Sequence, residues 1–255
     1  MARLPIQYVE CFHLVLLRLL EARVDRASWV VKGGVNLRAW FGSRRYSEDL
    51  DVDVLRGQPH SLRSRVDDLL ASRPFAELLG TQGLTLIRST KPKQTDTTQR
   101  WKFEVRADGL SVPLRTRVEF SRRGSGDEDY VLEAVRSEVL RPYGMPAPTV
   151  NHYAAPSAIR QKIHALGARK ATQARDVWDL DHLLRTTGAD PRPLPPAVRH
   201  ALPEAIDRAV SLPFEVFRAQ VVPFLAPEDQ DVYGTRDSWD RMRELVADRL
   251  LELAE

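Results

Sequence analysis

Hydrophobic and polar positions alternate with period two in three segments of the first half of the chain, at 49–54, 101–105 and 114–120. This alternation is typical of β-strands with one buried face. The outer faces of the last two segments carry basic and acidic residues, so we expect these two strands to pair antiparallel. A short apolar run at 29–31 predicts a further strand that ends at two glycines, and the residues around 84–86 predict another.

Helical spacing of apolar residues appears between these strands. The run at 8–22 lacks helix breakers and predicts an amphipathic helix that covers the sheet. A second helix is predicted from Ser61, which can cap it, to about residue 72. The polar stretch 91–100 predicts a loop or hairpin tip, and 124–127 predicts a turn.

The character of the chain changes after 141–148, a segment with three prolines and a glycine that predicts a lobe boundary. Beyond it the periodicity is helical and no strand pattern is evident. The predicted helices are 153–168, 174–185, a stretch around 203–222, and 237–253. The expected fold class is therefore α+β, with an N-terminal lobe of strands and helices at 1–148 and an all-helical C-terminal lobe at 149–255.

Composition narrows the class of protein only a little. The chain has 255 residues and a formal net charge of +3, but arginine and lysine are concentrated in certain segments, which is compatible with an anionic partner. Its single cysteine, Cys11, lies in the first helix and indicates a small core residue in a reducing cytoplasm. We find no signal peptide and no apolar run long enough for a membrane span, and the histidines lack zinc-ligand spacing.

The stretch after the first strand carries the candidate chemistry. Gly33 and Gly34 allow a tight turn, and a helix at 36–41 would point its first amide donors at an anion. Asp49 and Asp51 share one face of the next strand, where they repel each other unless a cation lies between them. Such a pair suits Mg²⁺, which takes one or two protein carboxylates together with phosphate oxygens. The combination indicates phosphoryl or nucleotidyl transfer, although an ordinary turn followed by a solvated edge strand is the structural alternative.

Three further residues near this stretch are candidates. Ser47 can hydrogen-bond a phosphate or simply form a turn, and Arg38 lies one helical turn from the expected phosphate end. A third carboxylate often holds the metal near the attacking hydroxyl. Glu119 is the best candidate for it, with Glu104 and Asp53 as competitors and a cross-strand ion pair as the alternative role.

A second group of candidates lies in the C-terminal lobe. Lys162 is at the edge of a helical apolar stripe, where its ammonium could bind a triphosphate. Asp176 lies in the first turn of the next helix, and its alternative role is a helix start with an arginine partner. Asp179 is four residues after Arg175, so an ion pair along the helix is the simpler explanation for it.

These residues form ordered motifs: Lys-Gly-Gly at 32–34, Leu-Arg at 37–38, Arg-Tyr-Ser-x-Asp-Leu-Asp at 45–51, and the block from Lys162 to Leu180 that ends in Arg-Asp-x-x-Asp-Leu. In this order they resemble the AbiEii/AbiGii-type nucleotidyltransferase toxins, which include the MenT-like toxins of mycobacteria. That family belongs to the DNA-polymerase-β-like nucleotidyltransferase superfamily.

The resemblance implies a mixed nucleotidyltransferase sheet with flanking helices and a Mg²⁺-dependent transfer of a nucleotide from an NTP to an acceptor. It implies that Asp49 and Asp51 hold the metal, and that Asp176 supports the cleft. The implied triphosphate ligands are Gly33, Gly34, Ser47 and Lys162, with help from Arg38. It also implies a toxin with a cognate antitoxin protein and a tRNA 3′ end as acceptor.

Alternatives to a tRNA acceptor stay open. The acceptor could be a protein or a small molecule, and the chain could be an inactive nucleotide-binding regulatory module, although the intact acid pair argues against inactivity. If the acceptor is tRNA, the basic residues within 91–106 and 115–123 would contact its phosphates. Trp101 would then stack on a terminal base or lie in the core. The preferred nucleotide is not encoded in any motif.

Overall fold

The computed structural model describes residues 3–122 and 128–255, so the turn predicted at 124–127 lies outside the described residues. The chain forms two compact units. The first consists of Met1–Gly42 and Tyr46–Tyr153, and the second of Ser43–Arg45 and Ala154–Glu255. The first unit therefore ends after the predicted boundary at Pro148.

The first unit is built on a mixed sheet of seven strands in the described residues, in the order β3-β4-β5-β2-β1-β7-β6. The strands are β1 (Trp29–Lys32), β2 (Asp49–Val54), β3 (Leu84–Gln94), β4 (Thr98–Ala107), β5 (Leu114–Ser121), β6 (Tyr130–Ala134) and β7 (Thr149–Tyr153). β2 pairs with β5, and β1 with β7, in parallel; the other pairs are antiparallel. The expected α+β class and the antiparallel pairing of β4 with β5 are confirmed.

Helices flank this sheet: α1 (Pro5–Arg23), α2 (Gly33–Phe41), α3 (Pro59–Leu70), α4 (Arg73–Thr81) and the short α5 (Ser137–Leu140). The long apolar helix α1 covers the sheet as predicted. Its Phe12 ring centroid lies 5.0 Å from that of Phe103 in β4 and 5.9 Å from that of Phe75 in α4. Cys11 is fully buried, and burial raises the pKa of its thiol to about 12, which confirms a core role.

Because α1 covers one face of the sheet, the opposite face of β4 and β5 presents the polar positions. Trp101, Phe103 and Val105 are buried beneath the helices, as are Val118 and Phe120. Side chains alternate between the two faces of a strand, so the arginines, lysine and glutamates between these residues project from the other face. That polar face continues onto β2 and carries the candidate site.

The hairpin tip predicted at 91–100 is confirmed in part: the turn is limited to 95–97, because β3 extends to Gln94, which pairs with Gln99, and β4 begins at Thr98. The expectation that no strand follows Pro148 is wrong. The sequence after Pro148 contains a strand, β7, whose Val31↔His152 pairing with β1 places it inside the sheet. Both segments lack a long apolar alternation, and their backbone pairing with neighbouring strands determines their conformation instead.

The second unit contains α6 (Ala155–Ala168), α7 (Ala174–Thr186), α8 (Pro196–Ser211), α9 (Phe214–Gln220), α10 (Pro227–Tyr233) and α11 (Arg236–Glu252). Each predicted helix has a counterpart, and the stretch predicted around 203–222 divides into α8 and α9 at Leu212 and Pro213. The core of the unit includes Phe217, whose ring stacks on Trp239 with centroids 4.5 Å apart. The predicted helical C-terminal region is confirmed.

A buried histidine in α1 makes the stability of the first unit depend on pH. His13 Nε2 lies 2.7 Å from Thr116 Oγ1, and Thr116 donates to the Glu48 carbonyl, so His13 donates to the hydroxyl. Burial lowers the pKa of His13 from 6.5 to about 3. Between these values the unfolded chain binds the extra proton, so this part of the stability is complete above pH 6.5 and declines as the pH falls.

We expect the free energy of unfolding to fall by about 2 kcal/mol between pH 6.5 and pH 5 because of His13 alone, at about 1.4 kcal/mol per pH unit. Urea unfolding at the two pH values measures the change. His13→Gln keeps an N–H donor for Thr116 but does not titrate, so the variant should lose most of this pH dependence. An equal slope in the variant would exclude His13 as its source.

Candidate active site

Charged side chains form two rows across the polar face of the sheet. Residues that pair in neighbouring strands project from the same face, so the pairings fix the composition of each row. One row contains Lys32, Asp51, Glu119 and Arg100, and the other contains Asp49, Arg117 and Lys102. The two candidate metal acids and the candidate third acid thus lie on one face, as the alternation in the sequence predicts.

The glycine turn lies directly against one of these acids. Gly33 has a φ of 69°, which disfavours residues with a side chain. A Cβ atom there would lie 3.1 Å from Asp51 Oδ2, so the backbone and the carboxylate approach closely. Helix α2 begins at Gly33 rather than at the predicted Asn36, because both glycines belong to its first turn. The unsatisfied amide groups of that turn are potential anion donors next to Asp51.

The acids of the site differ in how they are paired. Arg117 Nη2 lies 2.8 Å from Asp49 Oδ2, and Arg100 Nε donates to Glu119 Oε2 at 2.7 Å. Asp51 is different: within residues 3–122 and 128–255 its carboxylate has no ion-pair or hydrogen-bond partner. Its neighbours across the sheet are Glu119 and Lys32, and the Lys32 ammonium is engaged by Asp53. Among the described acids of these two rows, Asp51 is therefore the one that could bind a metal without giving up an ion pair.

Asp53, a competing candidate for the third acid, has structural contacts. It is buried, its Oδ1 lies 2.5 Å from Lys32 Nζ, and its Oδ2 accepts a hydrogen bond of 2.9 Å from the Tyr153 hydroxyl. Burial, followed by the charge of Asp53, raises the pKa of Tyr153, so the phenol stays a donor. These contacts connect β2 to β1 and β7 and account for Asp53 without a metal.

The oxygen donors on this face fit the chemistry of Mg²⁺. Asp49 and Asp51 offer hard oxygen ligands two residues apart on one face, which fits an ion that uses few protein carboxylates and several phosphate or water oxygens. Among the described residues no three histidine, cysteine or acidic side chains are grouped closely enough to hold an ion by themselves. Glu119 faces Arg100 in this arrangement, and Glu104 lies 3.6 Å from Arg115 Nε.

Ser47 and Arg38, the other candidate phosphate ligands, both have contacts within the protein, and those of Ser47 match its structural alternative as a turn former. The Ser47 hydroxyl donates to the Asp49 carbonyl at 2.7 Å, as a turn-forming serine does. Arg38 Nε donates to the buried Glu10 at 2.7 Å, and its guanidinium lies 4.1 Å from the ring centroid of Tyr46. A phosphate role for either residue stays a prediction.

A cleft of about 430 Å³ opens on the polar face beside Asp49. Its lining comes from the start of β2 and from β3, β4 and β5: Glu48, Asp49, Arg88, Thr90, Lys102, Phe103, Glu104, Arg115, Thr116 and Arg117. Trp101 does not reach it. The indole is fully buried and donates to Asp67 Oδ1 at 3.0 Å, so the suggested stacking of Trp101 on a base is wrong and its core role is confirmed.

The second unit contains a buried ion cluster around Lys162. The Lys162 ammonium lies 3.0 Å from Asp176 Oδ1 and 2.6 Å from Asp179 Oδ2, and both aspartates are fully buried. Arg45 Nη2 lies 3.1 Å from Asp179 Oδ1, and Arg169 Nη1 lies 3.2 Å from Asp176 Oδ2 without hydrogen-bond geometry. Asp176 thus has the predicted arginine partner and helix-start position.

The expected partner of Asp179 is wrong. Its carboxylate pairs with Lys162 and Arg45, which come from other segments, instead of with Arg175 on its own helix. Burial alone would raise the pKa of Asp179, but the charges and hydrogen bonds of Arg45 and Lys162 outweigh burial and hold it below its usual value. Arg45 is a contributor that the sequence analysis did not single out, although it opens the Arg-Tyr-Ser motif.

Comparisons with known proteins give a matching family and two solved structures of similar fold. A family model described as "Nucleotidyl transferase AbiEii toxin, Type IV TA system" matches residues 15–249. The crystal structure of JHP933 from Helicobacter pylori is similar with a TM-score of 0.61 and 19% identity, covering 99% of this chain and 96% of that one. A second H. pylori structure, provisionally assigned to the nucleotidyltransferases, has a TM-score of 0.60 and 18% identity, covering 100% of both chains. A search of curated proteins gave no match.

The matching family model, together with the fold, identifies a nucleotidyltransferase. Because the family model spans most of its length, the chain belongs to the AbiEii nucleotidyltransferase toxin family of type IV toxin–antitoxin systems. The family implies an NTP substrate and an antitoxin partner. Among the described helices, none combines the length and apolar composition that a membrane crossing requires.

Proposed function

We propose that this toxin transfers a nucleoside monophosphate from an NTP to the 3′ end of a tRNA in a Mg²⁺-dependent reaction. The observation that carries the proposal is the carboxylate of Asp51, which has no partner in the part of the chain that the structure describes and lies against the glycine turn on the same sheet face as Asp49. A site for a metal-bound triphosphate needs these two elements side by side.

The residues have distinct roles in this proposal. Asp49 and Asp51 hold the metal, which when bound neutralises charge on the triphosphate and the leaving group. The backbone amides of Gly33 and Gly34 bind phosphate oxygens at the start of α2. The acceptor hydroxyl oxygen bonds to the α-phosphorus, pyrophosphate leaves, and the hydroxyl proton passes to solvent. Glu119 would join the metal ligands only after leaving Arg100.

The acceptor is inferred from charge. The polar faces of β4 and β5 carry Arg100, Lys102, Arg115 and Arg117 next to Asp49, and an anionic acceptor such as tRNA complements this surface. A tRNA with extra nucleotides at its 3′ end cannot be aminoacylated, so translation would stop. A protein or a small molecule is the second candidate for the acceptor. Labelled NTPs distinguish these candidates, because the label then appears in a different product.

The experiment incubates the purified protein with each of the four α-labelled NTPs, Mg²⁺ and total tRNA, and follows which label reaches which product. We expect label from one or two NTPs in the tRNA fraction, lost when EDTA chelates the metal. Digestion of the labelled tRNA from its 3′ end should release the label first. Label in protein or in a small product would contradict the tRNA proposal. If no product carried label with any of the four NTPs, nucleotidyl transfer itself would be contradicted.

A further inference from the structure

Two cations in the cleft beside Asp49 lack a partner. In the described part of the chain, neither Arg88 nor Lys102 has a carboxylate within ion-pair distance, and both are exposed. Lys102 pairs across the sheet with Thr90 on one side and Arg117 on the other. The row from Thr90 through Lys102 and Arg117 therefore ends at Asp49, and this cationic side of the cleft continues directly into the acid pair.

Arg117 has an intermediate position in this row. One nitrogen, Nη2, lies 2.8 Å from Asp49 Oδ2. Its Nε is buried and has no hydrogen-bond partner among the described residues. The side chain keeps 36% of its surface exposed to the cleft. A guanidinium has five N–H donors in a planar fork that matches a phosphate, so Arg117 has unused capacity for a second anion.

The size and lining of the cleft limit what can enter. A volume of about 430 Å³ is at the low end of small-molecule sites, which run from about 300 to 1,000 Å³, so it fits one nucleotide rather than a duplex. Phe103, the aromatic residue of the lining, is buried and presents no open ring face. Recognition here therefore depends on charge, with little means of distinguishing one base from another.

We propose that Lys102 and Arg117 form a subsite for the last phosphodiester of an RNA acceptor, and that this subsite binds RNA without regard to the terminal base. The inference rests on the proposed function and names the part of the acceptor that the cleft holds. The phosphate competes with Asp49 for Arg117. When the phosphate binds Arg117, it releases Asp49 from the arginine. Acceptor binding is therefore coupled to metal binding by Asp49 and Asp51.

The test measures binding of fluorescein-labelled tRNA by anisotropy, without NTP and over a series of salt concentrations. Lys102→Gln and Arg117→Gln should each weaken binding about tenfold, because each removes a charged contact to phosphate. Each should also reduce the slope of log affinity against log salt by about one. Arg73→Gln is the matched control, since Arg73 is an exposed arginine on α4 whose ion pair, among the described residues, is with Glu77 on its own helix. Its binding should equal that of the wild type.

Short labelled oligoribonucleotides of adenine, uracil or cytosine test whether the subsite binds RNA without regard to the terminal base. We expect all three to bind with similar affinity. Lys102 has no ion-pair partner within residues 3–122 and 128–255, so Lys102→Gln should keep the fold and makes the result interpretable even if Arg117→Gln is destabilised. Variants that bind tRNA as tightly as Arg73→Gln, while the wild type still labels tRNA, would overturn the subsite and leave the proposed function standing. Strong preference for one oligonucleotide would overturn base-independent binding. A wild type that labels protein and does not bind tRNA would overturn both proposals.

Discussion

Asp51→Asn is expected to abolish nucleotidyl transfer while leaving thermal stability unchanged or slightly higher. The carboxylate has no partner among the described residues and shares its sheet face with Asp49, Asp53 and Glu119. Removing one of several neighbouring negative charges relieves repulsion, so the folded state loses nothing. The reaction, in contrast, loses the charge that would hold a metal at the phosphates. We expect a rate reduction of about a thousandfold or more, equal to about 4 kcal/mol of barrier.

The neighbouring acid on the same strand provides the control. Asp53 is buried and holds Lys32 and the Tyr153 hydroxyl. Asp53→Asn should therefore lower the melting temperature, because it leaves a partly buried ammonium without its counter-charge. Labelled-NTP transfer and thermal unfolding measured on both variants separate the two roles. Transfer by Asp51→Asn near the wild-type rate would remove Asp51 from the active site.

The same variant connects the chemistry to toxicity. Expression of the wild-type chain in a bacterial host should stop growth, as expected of a toxin, whereas Asp51→Asn should be harmless at equal protein levels. Equal levels are a fair requirement because the substitution is expected to leave the fold intact. Growth arrest by a folded and catalytically silent Asp51→Asn would show that toxicity arises elsewhere in the protein.

The parts of the fold that the sequence predicts are those with long, regular hydrophobic patterns. β2, β4 and β5 alternate cleanly, and α1 and α11 have helical periodicity, so all five elements are found near their expected positions. β6 and β7 are five residues each and follow proline-rich or polar stretches. β6 is exposed at every position and β7 is buried at all but its first, so neither shows an alternation that would reveal a strand, and their pairing in the sheet is a tertiary effect.

The candidate site likewise has features that local sequence spacing predicts and features that depend on the strand order. Local spacing places Asp49 and Asp51 on one face, and the structure brings Gly33 of the glycine turn against Asp51. The cation that pairs with Asp49 comes from a strand distant in sequence, because β2 pairs with β5 rather than with β3. Arg117 therefore reaches Asp49 through a strand order that no local pattern encodes. The Arg45–Asp179 contact joins residues 134 positions apart and was missed for the same reason.

Lys162→Met is expected to destabilise the second unit by about 3–5 kcal/mol. The ammonium lies between the fully buried carboxylates of Asp176 and Asp179. Methionine has a similar length and packs well, so the cost comes from the lost charge, which leaves buried carboxylates poorly compensated. Asp176 suffers most, since Arg169 contacts it without hydrogen-bond geometry. Urea unfolding followed by circular dichroism measures the change, and Lys162→Arg should recover part of it.

Dependence on pH distinguishes this electrostatic cost from a packing defect. In the wild type the depressed pKa of Asp179 contributes stability above the unfolded value of about 3.9, and this contribution is lost as the pH falls below it. In Lys162→Met the pKa of Asp179 loses the lowering effect of the ammonium, so its carboxylate is protonated at a higher pH than in the wild type, and the deficit of the variant should shrink as the pH falls from 7 towards 4. The exposed Lys170→Met is the matched control and should unfold like the wild type at every pH. A deficit that stays constant with pH would assign the loss to packing.

The role of Lys162 in binding a triphosphate stays a separate prediction. It is tested by measuring NTP affinity without urea, at a temperature at which the variant is folded.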